Sequence, residues 1–130
     1  MPLSASDRLE ILDLAARYNH AMDAWEAGPW LDCFTEDGEL EAGPTFTARG
    51  HAELAAMLEG IKARGWPAQH WTNSPVIDGD GDRATMSITL LVLNSGDRNG
   101  GGPRVGPLGR YEDELVRVDG AWKFRRRALR

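Results

Sequence analysis

The amino-acid sequence predicts an α+β fold, in which N-terminal helices cover one face of a strongly bent antiparallel sheet. Two observations indicate this arrangement. Apolar residues recur at helical spacing in the first half of the chain, and strand-like runs separated by turns fill the second half. The 130 residues suffice for one sizeable core, and no internal repeat marks a second unit. We therefore expect residues 1–130 to form a single domain.

The first helix is predicted from about residue 6 to residue 26. Ser4 or Ser6, followed by acidic residues, is typical of a helix N-cap. Apolar residues then recur at helical spacing until Gly28-Pro29, a pair that favours the end of a helix. This helix carries Asp23 at the flank of its apolar stripe, where the carboxylate can face either a cavity rim or solvent.

The next segments are shorter. Residues 30–34 fit one helical turn and residues 35–38 fit a turn, while residues 39–48 contain a Gly-Pro pair and predict a short hairpin. Apolar residues at helical spacing then predict a second long helix over residues 51–64. Met57 lies on the apolar face of that helix.

Four long strands are predicted after Gly65, over residues 69–77, 83–93, 108–118 and 121–129. DGDGD at 78–82 and DG at 119–120 favour hairpin turns. DGDGD is not an EF-hand loop, because it lacks a glutamate at the twelfth position and flanking helices. The Gly- and Pro-rich segment 95–107 is predicted to be either a surface loop or a flap over a cavity.

Composition narrows the function classes. A net charge of −5 argues against non-specific nucleic-acid binding, and the apolar runs are too short to cross a membrane. The first residues lack the pattern of a secretory signal. Cys33 is the lone cysteine, so no internal disulfide forms, which fits a reducing cytoplasm. We expect a cytoplasmic protein without nucleic-acid or membrane partners.

Large apolar side chains supply candidate walls for a substrate cavity, although packing in the core would explain them equally well. Five tryptophans in so short a chain are unusual. The candidate substrate-binding residues are Trp66, Trp71, Met86, Leu90, Tyr111 and Met57.

Asp23 and His70 are the most informative polar residues. Imidazole has a pKa near about 6.5 in water, close to what a general base needs at neutral pH. An aspartate that accepts the ring N–H fixes the tautomer and stabilises the imidazolium form. The three histidines, His20, His51 and His70, do not form a ligand cluster, so we expect neither a metal nor another cofactor.

Five segments resemble the SnoaL-like branch of the nuclear-transport-factor-2-like (cystatin-like) superfamily. They are RYNHAMDAW, CFTEDGELE, TARGHAEL, QHWTNSPVIDGDGDRATM and GRYEDELVRVDGAWKFRRR. The resemblance runs in the expected order from about Asp7 to Arg127. It implies a cone-shaped curved sheet that is closed by helices around a deep, mostly apolar pocket. Fold alone does not decide function, because some members of this superfamily are not catalysts.

The closest resemblance is to members with an Asp–His dyad, namely scytalone dehydratase, hexachlorocyclohexane dehydrochlorinase and bile-acid dehydratase. Asp23 and His70 stand at the dyad positions, and Tyr18 matches their tyrosine. The arginine on the last strand corresponds to Arg127, or to Arg125 if the register differs. A ketosteroid isomerase pattern, with Glu39 or Glu41 as base, and an epoxide hydrolase pattern with Asp113 fit less well.

This resemblance implies a cofactor-independent lyase that dehydrates a small hydrophobic cyclic molecule, with His70, Asp23, Tyr18 and Arg127 as catalytic residues. Two alternatives stay open: an isomerase or polyketide-type cyclase that uses the same base, and a non-catalytic pocket protein that binds a small ligand. Family members also imply a homodimer formed through the outer face of the sheet.

Overall fold

A computed structural model describes residues 1–65, 67–95 and 102–130 of the chain. Their order is three helices interleaved with two short strands, followed by four longer strands. The helices are α1 (Ala5–Asp23), α2 (Ala27–Asp32) and α3 (Gly50–Arg64). The strands are β1 (Phe34–Glu41), β2 (Thr47–Arg49), β3 (Ala68–Asp80), β4 (Arg83–Asn94), β5 (Arg104–Val118) and β6 (Ala121–Leu129).

The start of α1 is fixed by a capping box. The Ser4 hydroxyl accepts a hydrogen bond from the Asp7 N–H, and the Asp7 carboxylate accepts one from the Ser4 N–H. Asp7 also accepts hydrogen bonds from Arg117 and from the Trp122 indole, which tie the helix to the β5–β6 hairpin. The predicted N-cap is therefore confirmed at Ser4, and it anchors tertiary structure as well as the helix.

The helix ends earlier than its apolar periodicity predicts. It stops at Asp23, and Trp25 then adopts a left-handed φ of 56°, which turns the chain into α2. Helix α3 matches its prediction within one residue and ends on Gly65, whose φ of 66° suits a glycine C-cap. Because α1 ends early, Asp23 lies in its last turn, beside the first residues of β3.

The described strands form one curved sheet in the order β2-β1-β6-β5-β4-β3. Four of its five pairings are antiparallel, as predicted, and β1 runs parallel to β6. The predicted turn at residues 35–38 lies inside β1, where the pairing with β6 is irregular before Glu39. Strand β5 begins at Arg104, earlier than predicted. The α+β class with N-terminal helices against a bent sheet is confirmed.

The core lies between the helices and the concave face of the sheet. Along β4, every second residue from Ala84 to Val92 is buried, so this face of the strand points inward. Four rings, those of Tyr18, Trp30, Phe34 and Phe124, pack against one another with centroids 5.2–5.9 Å apart. No helix in the described part of the chain is long and apolar enough to span a membrane.

Candidate active site

Asp23 and His70 meet at the junction of α1 and β3. The distance from His70 Nδ1 to Asp23 Oδ1 is 2.6 Å, and the two side chains are 16% and 22% exposed. Both carboxylate oxygens also accept the backbone N–H of His70, at 3.1 Å. Because Nδ1 is held by Asp23, Nε2 is the ring nitrogen that remains for a molecule in the site.

The match between helix and strand geometry explains why this contact forms. Strand β3 lies at the edge of the sheet, so every second backbone N–H group along it has no hydrogen-bond partner in a neighbouring strand. Asn19 and Asp23 are one helical turn apart, a rise of about 6 Å. Thr72 and His70 are two strand residues apart, about 6.6 Å. Asn19 donates to the Thr72 hydroxyl at 2.9 Å, so one face of α1 clamps two successive inward positions of the edge strand.

Two hollows border His70. One is an open groove of about 690 Å³ on the surface between α1 and β3. The other is a smaller cavity of about 290 Å³ within the curve of the sheet, and its lining is mostly apolar. We place the candidate site in the smaller cavity, because removal of water strengthens the electrostatic interactions on which proton transfer depends.

Tyr18 and Tyr111 line the same cavity. Both side chains are almost fully buried, and their ring centroids are 6.1 Å apart. Burial raises the pKa of Tyr18 well above its usual value, and the Tyr111 phenol beside it raises it further. Burial also raises the pKa of Tyr111. Both phenols are therefore neutral at physiological pH and can act as hydrogen-bond donors.

Arg127 does not reach the cavity, contrary to its predicted catalytic contact. Its side chain is fully buried and forms a two-point ion pair with Asp113, with N–O distances of 2.9 Å and 3.2 Å. The Tyr18 and Tyr111 rings lie between this guanidinium and the cavity, since both rings line the cavity and contact Arg127, which does not line it. Arg125, the alternative, pairs with Glu114 on the exposed surface.

The other predicted substrate contacts divide into three groups. Leu90 and Met57 line the cavity, as predicted. Met86 is buried in the core outside the cavity. Trp71 lines the outer groove and not the cavity, because adjacent side chains of a strand point to opposite faces and His70 is the one that reaches the cavity. Trp66 lies outside the described residues, as do residues 96–101 of the predicted loop.

Sequence reasoning missed two polar residues in the lining, Arg64 and Asn94. Periodicity carried the signal for both. Asn94 has the same parity as Leu90 and Val92 along β4, and Arg64 continues the helical stripe of Met57 and Ile61.

The bases of the two less favoured patterns are engaged elsewhere. Glu39 forms an ion pair with Arg49. Glu41 forms ion pairs with Arg126 of β6 and with Arg130 at the end of the chain. Neither glutamate lines the cavity. Asp113 is held by Arg127, as described above. His70 with Asp23 is therefore the base that the cavity offers, and within the described residues no group of three potential metal ligands occurs.

The SnoaL-like domain family matches residues 4–128 of the chain. The chain belongs to the SnoaL-like family. This family includes cyclases, dehydratases and isomerases. No curated protein matches the chain.

Solved structures with the same fold include proteins from three bacteria. Rv3472 from Mycobacterium tuberculosis, whose function is unknown, is 30% identical, with 95% of this chain and 70% of that chain covered and a TM-score of 0.83. A Nostoc punctiforme protein of unknown function with a cystatin-like fold is 27% identical, with coverages of 99% and 93% and a TM-score of 0.85. A Novosphingobium aromaticivorans protein that is provisionally named a scytalone dehydratase is 27% identical, with coverages of 96% and 83% and a TM-score of 0.84. The predicted resemblance to the cystatin-like superfamily is confirmed.

Proposed function

We propose that the chain is a cofactor-independent lyase, which removes water from a small hydrophobic cyclic molecule with His70 as the general base. The observation that carries the proposal is the 2.6 Å contact between Asp23 and His70 Nδ1 at the wall of an apolar cavity. This contact leaves Nε2 to accept a proton and lets the carboxylate stabilise the imidazolium that results. Similarity to the Novosphingobium protein that is provisionally named a dehydratase supports the same reaction class.

The elimination follows from the groups that line the cavity. His70 Nε2 takes a proton from a carbon beside a carbonyl, and the electron pair of that C–H bond forms an enolate. The Tyr18 and Tyr111 phenols donate hydrogen bonds to the enolate oxygen as its charge develops. The enolate then re-forms the carbonyl and a C=C bond. At the same time the C–O bond on the carbon next to the deprotonated one breaks, and its hydroxyl takes the proton of His70 and leaves as water.

Cavity volume sets the size of the substrate. About 290 Å³ lies just below the usual range for small-molecule sites, which is roughly 300–1,000 Å³. The aliphatic and aromatic lining favours one or two fused rings with few polar groups. We infer a compact cyclic hydroxy-ketone as the substrate class.

The same enolate also supports an isomerase or a cyclase. In isomerisation the imidazolium returns its proton to a different carbon, and in cyclisation the enolate carbon attacks a second carbonyl of the substrate and the new alkoxide takes that proton. The two neutral phenols favour this alternative as much as the elimination, since both reactions pass through the oxyanion. Product mass separates them: elimination loses one water, whereas isomerisation leaves the mass unchanged.

The test is a panel of cyclic hydroxy-ketones, incubated with purified protein and followed by mass spectrometry. We expect turnover, and we expect His70→Ala and Asp23→Asn each to reduce it by about 10²- to 10⁴-fold. His51→Ala and Asp13→Asn are matched controls that should retain activity, because His51 contacts the Phe34 carbonyl, Asp13 pairs with Arg17 on the surface, and neither lines the cavity. Full activity of His70→Ala would contradict the proposal, and binding without turnover across the panel would favour a non-catalytic pocket protein.

We further propose a homodimer through the outer face of the sheet. Trp71, Leu91 and Leu108 are aligned across three neighbouring strands by their register, and the first and last are exposed. Such a row of exposed apolar side chains is typical of an interaction surface. Light scattering at micromolar concentration should give the mass of a dimer, and Leu108→Lys should reduce it to that of a monomer. A monomeric wild-type protein would contradict this expectation.

A further inference from the structure

The Arg127 guanidinium is stacked on the two phenols of the cavity. Its central carbon lies 3.8 Å from the ring centroid of Tyr111 and 4.5 Å from that of Tyr18, over the ring in each case. Phe124 covers it at 4.3 Å. A cation over an aromatic face is attracted by the quadrupole of the ring, most strongly where water is excluded. The charge therefore lies directly behind the groups that line the cavity.

Asp113 fixes this cation in one orientation. Two parallel hydrogen bonds hold the plane of the guanidinium, and both side chains have no solvent exposure. A buried ion pair adds little to stability in general, because the cost of desolvation offsets the attraction. Stability alone therefore does not account for a buried pair whose guanidinium is stacked on both phenols.

We propose that Arg127 and Asp113 form a positioning pair that acts through Tyr18 and Tyr111, on whose rings the guanidinium is stacked. The pair orients the phenols toward the cavity, and its cation favours the negative charge that develops on a substrate oxygen held by their hydroxyls. The inference rests on the proposed function, because it assigns these phenols to the oxyanion. Arg127 thus acts on the substrate through two side chains and makes no direct contact with it.

Electrostatics at the two phenols agrees with this role. For Tyr111, burial raises the pKa most, and the largest opposing effect is the charge of Arg127. Asp113 and Asp23 act in the other direction and more weakly than Arg127, and a hydrogen bond with Tyr18 also lowers the Tyr111 pKa. For Tyr18, Arg127 likewise lowers a pKa that burial raises. Removing both members of the pair should therefore make the phenols less acidic.

The composition of the chain makes this measurable, because Tyr18 and Tyr111 are its two tyrosines. Replacement of tyrosine by 3,5-difluorotyrosine, a more acidic phenol, gives fluorine NMR signals from two residues, both of which line the cavity. Tyr18→Phe assigns them. We expect Arg127→Met/Asp113→Leu to move the titration midpoint of Tyr111 upward by about one pH unit, as for loss of a charge within about 4–6 Å.

The control for general loosening of the core is Leu54→Ala in α3, which removes a buried side chain outside the cavity lining. Its tyrosine midpoints should match those of the wild type. An unchanged Tyr111 midpoint in the double variant, or an equal shift in Leu54→Ala, overturns the inference. If the double variant does not fold, Arg127→Gln/Asp113→Asn removes both charges, keeps polar contacts and gives the same readout.

Turnover supplies the second arm. With a substrate from the panel, the double variant should lower kcat by up to about tenfold and leave KM unchanged, because the phenols act on the transition state. A moved midpoint with unchanged kcat overturns the action on catalysis. The fluorine titration needs no substrate, so absence of turnover in the wild type would contradict the proposed function alone and leave the electrostatic test intact.

Discussion

Two aspartates of this protein each hold a basic side chain, under opposite conditions. Asp23 binds His70 at the cavity wall, where both side chains are partly exposed. Asp113 binds Arg127 where neither has any exposure. The first pair contains an imidazole, a group that can accept and release a proton, and one of its ring nitrogens is open. The second has a permanent cation and no access to solvent. The contrast shows that access and an exchangeable proton, rather than the presence of an ion pair, mark the candidate catalytic site.

The largest expected effect comes from breaking the sealed pair. Asp113→Ala leaves the Arg127 charge buried without a counter-charge, which we expect to lower the free energy of unfolding by about 3–5 kcal/mol. Urea denaturation followed by tryptophan fluorescence measures this loss. Arg127→Met/Asp113→Leu should recover most of it, since it removes the charges together. A loss below about 1 kcal/mol in Asp113→Ala would mean that the pair is not sealed from water.

The corresponding truncation at the cavity wall should cost less. Asp23→Ala removes the acceptor of the His70 ring and backbone N–H groups, but water can reach both because the site is partly exposed. We expect a loss of about 1–2 kcal/mol in the free energy of unfolding, the sum of one or two net hydrogen bonds. The same urea titration measures it, with Asp13→Ala on the exposed side of α1 as the matched control. A loss equal to that of Asp113→Ala would erase the distinction between the two pairs.

A third aspartate, Asp7, lies between these extremes, and the stability that it contributes depends on pH. Hydrogen bonds from Ser4 and then from Trp122, together with the positive charge of Arg117, lower the pKa of Asp7 to about 2 from an ordinary 3.8. A lowered pKa means that its stabilisation is present above pH 3.8 and is lost as pH falls through about 2. The stability gap between wild type and Asp7→Asn should therefore close on acidification. Urea midpoints measured between about pH 4 and about pH 2 check this, and a gap independent of pH would contradict it.

Local sequence signals predicted most of the elements. Turn chemistry and alternation identified the four long strands, and a serine followed by acidic residues located the start of α1 to within one residue, with Ser4 and Ser6 both open as the N-cap. The end of that helix was mispredicted, because apolar spacing continues to Trp25 whereas the backbone of Trp25 is left-handed. The parallel pairing of β1 with β6 was also absent from the sequence reading. It joins segments far apart in the chain, and no local pattern encodes such a contact.

The candidate site was predicted unevenly for a related reason. Asp23 and His70 were identified through their positions in a family pattern, and their contact is as expected. Arg127 was assigned to the cavity, yet the fold places it behind Tyr18 and Tyr111. Residue type and strand parity show that a side chain points inward. They do not show how many layers of side chains separate it from the cavity.

The pattern of residues along the chain was sufficient to predict the α+β class, the spacing of its elements and the side chains that can carry a proton. Those properties depend on interactions between near neighbours, namely helix and strand periodicity, caps and turns. The three-dimensional fold was needed to show which of two aspartates holds a histidine at the cavity wall and which is sealed in the core. Burial and desolvation depend on contacts between distant segments, and they set whether a carboxylate orients a base or neutralises an arginine.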